Sequence, residues 1–399
     1  MVLNSAFVRK PRARFFRVER NPYPGRGTVV GMLGTIVTSL LFTFLALAQE
    51  PPRDDSTVAR PAHVLDARRL RAVTMDMLGR PPFEAERERW LGRGLYELCD
   101  ALLEDGEIWS HWYEEQLYYF LLIDNFRPAS ARVASIPMDL HQGRADVRDA
   151  IWRISLSPAF DARNPGADTF VTVVMEQLDG MAVQKNAREL EIGKAIYDGT
   201  PGLFLKSRGE NQSDVVRIAI ENERFATTFL AREYARIVRA APGRGALARW
   251  AQAFRKDPFV YADLLREWLA SPAYAARLEQ RRVQPNRLFV RSLFVDLLGR
   301  LPSIEEEARM RNALDGLSDS GPLRSVLARL LIDSGAAVIP AREEIVDPTS
   351  WVAGLFERLL GRSAEDGEQA VFVKSFHDPD CKPGTVVYAI VSHPEYHSY

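Results

Sequence analysis

The frame R-x4-D-x-L-G-R-x-P is written twice in this chain: in "ARRLRAVTMDMLGRPPF" (Ala67 to Phe83) and, 220 residues later, in "NRLFVRSLFVDLLGRLPS" (Asn286 to Ser303). In the second copy Phe289, Leu293 and Leu297 fall at i, i+4 and i+8, with Val290, Phe294 and Leu298 beside them. Apolar residues at that spacing form the broad stripe of a helix packed on a core. Gly79 and Gly299 stand where a left-handed residue closes a helix. Pro82 and Pro302 cannot continue the helix and suit the start of the next one. Ser303 with Glu306 reads as a capping box, and Glu84, Glu86 and Glu88 suit a helix start. Asp76–Arg80 and Asp296–Arg300 lie at i, i+4 in the favourable acid-first order. Arg71, Asp76, Gly79, Arg80, Pro82, Arg291, Asp296, Gly299, Arg300 and Pro302 are therefore expected to be structural: a helix, a tight stop, and a second helix leaving at an angle.

Weaker copies follow. "WVAGLFERLLGRSAEDGE" (Trp351 to Glu368) keeps L-L-G-R with Arg358 at the Asp position, and "TFVTVVMEQLDGMAV" (Thr169 to Val183) keeps Gly180 without the arginine. A second element, Ser-Pro-x-aromatic, appears at Ser157–Phe160 and Ser271–Tyr274, and loosely at Ser392–Tyr396. The expected fold is all-α: repeated helix–Gly stop–helix units packed as a multi-helix bundle or array, since such units bury their faces against neighbours. Pro/Gly-rich connectors at 125–144 and 279–286 divide the body into 61–135, 136–283 and 284–399, the last with two repeat units.

Ahead of that body, residues 1–27 hold seven basic side chains and one acid, and Thr28 to Ala48 carry no charge. Twenty-one uncharged residues suffice to cross a bilayer as a helix. The basic flank keeps the N-terminal end in the cytoplasm and places the rest on the periplasmic side of the inner membrane. Ala46-Leu47-Ala48 also fits a signal-peptidase site, so a retained anchor and cleavage after Ala48 both stand. Residues 49–60 form a polar, proline-bearing tether. With a net charge of −1 for the whole chain, the remainder is mildly acidic and has no basic stripe interleaved with aromatics, so no nucleic-acid partner is expected.

"RRLRAVTMDMLGRPPFEAERERWLG" followed by "LCDALLEDGEIWSHWYEEQLYYFLL" resembles the domain of unknown function found beside planctomycete-type cytochrome c modules, through Arg71, Asp76, Gly79, Arg80, Pro81, Pro82, Trp109 and Trp112. "LFERLLGRSAEDGE" with "VSHPEY" is similar to an L-L-G-R…S-P-E-Y repeat of secreted bacterial proteins. The resemblance implies an exported helical protein, supplies no catalytic residue, and makes a haem-free subunit docking a cytochrome or membrane electron-transfer complex an alternative to a plain scaffold. C-x-x-C-H is absent from the chain.

Three groups invite a chemical test. His377, Cys381, His393 and His397 give H-x3-C-x11-H-x3-H, a ligand spacing compatible with zinc, and would serve an exported metal-dependent enzyme. Trp109, Trp112 and Tyr113, with Phe120, share one helical face: core packing, or a face for a partner. His111 and Glu115 lie at i, i+4 but lack the E-x-x-H pairs of di-iron bundles. Cys99 and Cys381, the two cysteines, could pair in an oxidising compartment. No nucleophile elbow, phosphate loop or H-E-x-x-H occurs. The expectation is a non-catalytic accessory protein without a cofactor, acting on a protein partner in a membrane-associated complex.

Overall fold

The computed structural model describes residues 64–122, 128 and 130–399. The basic lead, the uncharged 28–48 segment and the tether lie outside the described residues, as does the membrane span expected there. Among the described residues no helix is long and apolar enough to cross a membrane.

What is described is all-α, with one small exception. Gly202–Phe204 and Ser207–Gly209 form an antiparallel hairpin, with Leu205 and Lys206 both at positive φ (46° and 69°) in its turn. That turn geometry normally selects Asn-Gly or Asp-Gly, and Leu-Lys carries no such signal. The helices enclose two apolar cores. One runs from Leu65 to Leu278 and also takes in Leu288 and Tyr399; the other runs from Phe289 to Tyr396. The helix Asn286–Leu298 serves both, since Leu288 faces the first core and Phe289 the second. The first core draws on residues from both the 61–135 and the 136–283 stretches.

The duplicated frame is built as a joint, and it is built three times. Gly79, Gly299 and Gly361 each adopt φ 67° and end the helices Ala67–Leu78, Asn286–Leu298 and Pro348–Leu360. The next residue, an arginine, donates to the carbonyl of its successor: Arg80 to Pro81 at 3.1 Å, Arg300 to Leu301 at 3.0 Å, Arg362 to Ser363 at 3.1 Å. It also forks onto a glutamate six residues on. Arg80 holds Glu86 at 2.7 and 2.8 Å, Arg300 holds Glu306 at 2.8 and 2.9 Å, and Arg362 holds Glu368 at 2.7 and 2.8 Å. That glutamate in turn accepts the backbone N–H at the start of the following helix, from Phe83, Ser303 or Glu365. One carboxylate thus satisfies an orphan helix-start donor and fixes the exit angle. The third copy, weaker in sequence, has the complete clamp.

The i, i+4 pairs expected between Asp76 and Arg80 and between Asp296 and Arg300 do not form. The left-handed glycine ends the helix before the arginine, so the two side chains no longer share a helical face. Both acids reach across the molecule instead. Arg71 donates to Asp296 at 3.2 and 2.8 Å, joined by the Tyr396 hydroxyl at 2.9 Å. Asp76 accepts from Arg277 and from the Tyr399 hydroxyl, both at 3.1 Å. The Ser-Pro-x-aromatic elements are capped turns: Ser157 and Ser271 cap short helices whose Phe160 and Tyr274 are fully buried, and His393 caps the turn that buries Tyr396. Near the chain end, Arg282 and Tyr399 exchange backbone hydrogen bonds at 2.7 and 2.8 Å, pinning the 279–286 connector.

Candidate functional site

The C-terminal histidine and cysteine set expected to bind metal is not brought together. Among the described residues no three His, Cys, Asp or Glu side chains gather to hold an ion. His377 is exposed at the end of the helix Asp366–Phe376. The Cys381 thiol is half-buried and points to the Lys382 carbonyl at 3.9 Å. His393 Nδ1 accepts the Glu395 N–H at 3.3 Å as a cap. His397 packs edge-on against Phe289 at 5.3 Å. The four lie in separate surroundings. Cys99 and Cys381 are both free thiols.

Of the two readings of the aromatic face, core packing is the one its burial fits. Trp109, Trp112 and Tyr113 on the helix Gly106–Leu121 are covered, at 8%, 2% and 8% exposure, so no partner reaches the tryptophans. Tyr261 packs against Trp109 and Trp112 at 6.4 and 6.3 Å. Beneath them lies Glu233, fully buried, accepting from Trp112 Nε1 at 3.1 Å, Gln116 at 3.0 Å and the Tyr261 hydroxyl at 2.8 Å. Burial alone would raise its carboxyl, but Arg236 and Arg232, with the Tyr261 and Gln116 bonds, hold it at about 2. A buried acid this well paired specifies the packing of its helices.

Tyr113 alone of that face reaches open space, in the first of two clefts beside the joints. This one, about 340 Å³, lies between the end of the Ala67–Leu78 helix and the Leu301-Pro302 turn. The second, about 370 Å³, lies over Asp76 and the 282–288 connector. His111 lines both, is 7% exposed, and has no hydrogen-bond partner on Nδ1 among the described residues. Its ring fills the space a side chain at Gly79 would need: a Cβ there would lie 2.4 Å from Nδ1.

The charged groups around His111 are occupied with one another. Arg291 forks onto Glu114 at 3.0 and 3.0 Å and reaches Glu307 at 2.8 Å; Arg287 holds Glu115 at 2.6 Å. Burial would raise the Glu114 carboxyl, yet His111 and the two arginines hold it well below the usual range, and Glu115 is likewise lowered by His111 and Arg287 against its burial. Carboxylates locked in this way have no proton to exchange near neutral pH, which makes them poor general acids or bases.

A different balance holds on the other side of the first joint. Two contiguous cavities of about 250 and 440 Å³ share Glu84, Arg87, Val338 and Arg358 as lining. Arg87 pairs with Glu84, whose side chain is 63% exposed. Burial, together with the charges of Arg358 and Arg71, pulls the Arg87 guanidinium down to about 10, against the attraction of Asp296. Arg358 makes no ion pair among the described residues, and its Nε is buried without a hydrogen-bond partner. In sequence, Arg358 is visible only as the odd residue at the Asp position of the third joint; nothing local marks Arg87 as its neighbour.

Neither a family model, nor a curated protein, nor a solved structure matches this chain.

Proposed function

We propose that this chain is a non-catalytic scaffold or accessory subunit of a membrane-associated complex, carried on the periplasmic side of the inner membrane by residues 28–48 or exported after cleavage near Ala48. In this reading the three clamped joints set the angles of a helical stack whose outer faces meet a protein partner. The observation that carries it is the mutual neutralisation of the charged groups around His111: the carboxylates and arginines of this cleft are engaged in ion pairs with one another. The helix Gly321–Asp333 supports it by exposing Val326 and Leu330, at i, i+4, to 50% and 59%.

The test is cross-linking and mass spectrometry of the full chain solubilised from membranes, beside a Leu330→Glu variant. A stable companion is expected with the wild type and reduced recovery of it with the variant, whose helical circular dichroism stays unchanged. A membrane-bound wild type without a companion under any condition overturns the proposal.

A further inference from the structure

The two cavities lined by Arg87 and Arg358 bring two guanidinium groups together with little free anion to match them. Of the acids nearby, Asp296 is already committed to Arg71 and Tyr396, and Glu84 is largely in solvent. Arg358 has no partner at all among the described residues, although its Nε is buried. A guanidinium without hydrogen-bond acceptors in a partly desolvated position is costly, because burying an unpaired donor forfeits its hydration. The same position in the other two joints is an acid that staples distant helices together, Asp76 or Asp296. Arg358 does no such stapling.

Apart from Ser350 in the smaller cavity and Asp296 in the larger, the rest of the lining is apolar. Ile339, Pro340, Trp351, Leu355 and Val387 wall the smaller cavity, and Pro82, Phe83 and Leu297 the larger, with Val338 at both and 71% exposed. Two planar guanidinium groups beside such walls match an oxyanion attached to a hydrocarbon body: the forks take the oxygens bidentately and the walls take the carbon. We propose that this double cavity is a binding site for a small amphiphilic carboxylate, with Arg87 and Arg358 gripping the carboxylate and the Val338–Pro340 and Trp351 walls covering its apolar part. The site is independent of the scaffold reading above, and its failure would leave that reading untouched.

The experiment is calorimetric titration of the full chain with three probes: octanoate, octan-1-ol, which has the body without the charge, and inorganic phosphate, which has charge without the body. Octanoate is expected to bind at least about tenfold more tightly than either of the others, since it alone combines charge-assisted hydrogen bonds with an apolar body. Arg358→Gln should weaken octanoate at least about tenfold, and Arg358→Lys should restore part of the loss. Val338→Glu, at the exposed lip, places an acid at the mouth without disturbing either core and should weaken octanoate as well. The proposal is overturned if wild type takes up no octanoate at concentrations of about 10 mM, if octanol or phosphate binds as tightly as octanoate, or if both Arg358→Gln and Val338→Glu bind octanoate as wild type does.

Discussion

At the scale of single residues, the three joint glycines separate two reasons for being glycine. All share φ 67°, which costs an L side chain about 1–2 kcal/mol. Their surroundings differ. A Cβ at Gly299 meets nothing within 4 Å, at Gly79 it meets the His111 ring, and at Gly361 it lies 2.8 Å from the Arg68 Cα, which is backbone. Gly299→Ala should therefore cost only the conformational penalty, about 1–2 kcal/mol. Gly79→Ala should cost more because an imidazole must move, and Gly361→Ala most, roughly 3 kcal/mol or above, because a helix must shift. Urea denaturation of the three variants reads this order; equal losses would mean that φ alone matters. Asp179, beside Gly180, offers a second residue-scale test. Its side chain is 0% exposed, neither oxygen has a hydrogen-bond partner among the described residues, and Arg224 stands 3.9 Å away. Burial raises its carboxyl to about 6, Arg224 opposing and Glu223 adding. A folded value above the unfolded one means the protonated form favours the fold, so this contribution to stability declines as pH rises from about 4 through 6 and stays lost above. Asp179→Asn should stabilise the protein by roughly 2–3 kcal/mol at pH 7 and change little at pH 4, as denaturation at both values would reveal.

At the scale of elements, one clamp repeated at three depths is a measurement of what burial does to an ion pair. The arginine side chains are 4%, 24% and 50% exposed at Arg80, Arg362 and Arg300. Arg80 also holds Glu107 at 2.6 and 2.7 Å, so Arg80→Ala leaves Glu86 and Glu107 without their buried cation and should cost about 3–5 kcal/mol. Arg300→Ala breaks a solvated pair and should cost under about 1 kcal/mol. Arg362→Ala, which also releases Glu395 held by Nε at 2.7 Å, should fall between. Equilibrium unfolding of the three variants decides it, and a flat series would show that the clamps contribute nothing through burial. Much of this element was legible in the sequence. The glycine stop follows from the end of an apolar periodicity, and Ser303 with Glu306 announces a cap. The arginine-to-glutamate clamp was not, because the helix rule points Arg80 and Arg300 back at Asp76 and Asp296, and only the left-handed turn redirects them forward. The hairpin at Gly202–Gly209 escaped for a similar reason: tertiary packing holds Leu205 and Lys206 where local propensity would not.

At the scale of the whole molecule, periodicity revealed helices but not which core each would join. The staple between the cores, Arg71 on Asp296 with Tyr396, spans 225 positions and has no local signature. The same blindness applies to the candidate sites: His377, Cys381, His393 and His397 invite a zinc reading through their spacing in sequence, while Arg87 and Arg358 line one cavity only through the fold. The staple carries a further expectation. Arg71 and Asp296 have side chains 5% and 2% exposed; Arg71 belongs to a helix of the first core, and Asp296 to the helix whose apolar residues, Leu288 apart, line the second. Asp296→Asn removes the charge that Arg71 is buried against, at a cost of about 3–5 kcal/mol, nearly all of it at the boundary. Wild type should therefore open both cores in one step, whereas in Asp296→Asn the smaller core should open first. Native-state hydrogen exchange resolves the two: amides within Phe289–Tyr396 should lose protection in the variant while those within Leu65–Leu278 keep more of it. Replacing the pair together, Arg71→Met with Asp296→Leu, should recover most of the loss, since an apolar pair of similar volume leaves no charge stranded. Equal loss of protection in both cores of Asp296→Asn would mean that the apolar contacts of the Asn286–Leu298 helix, shared between Leu288 and Phe289, couple the cores without help from the staple.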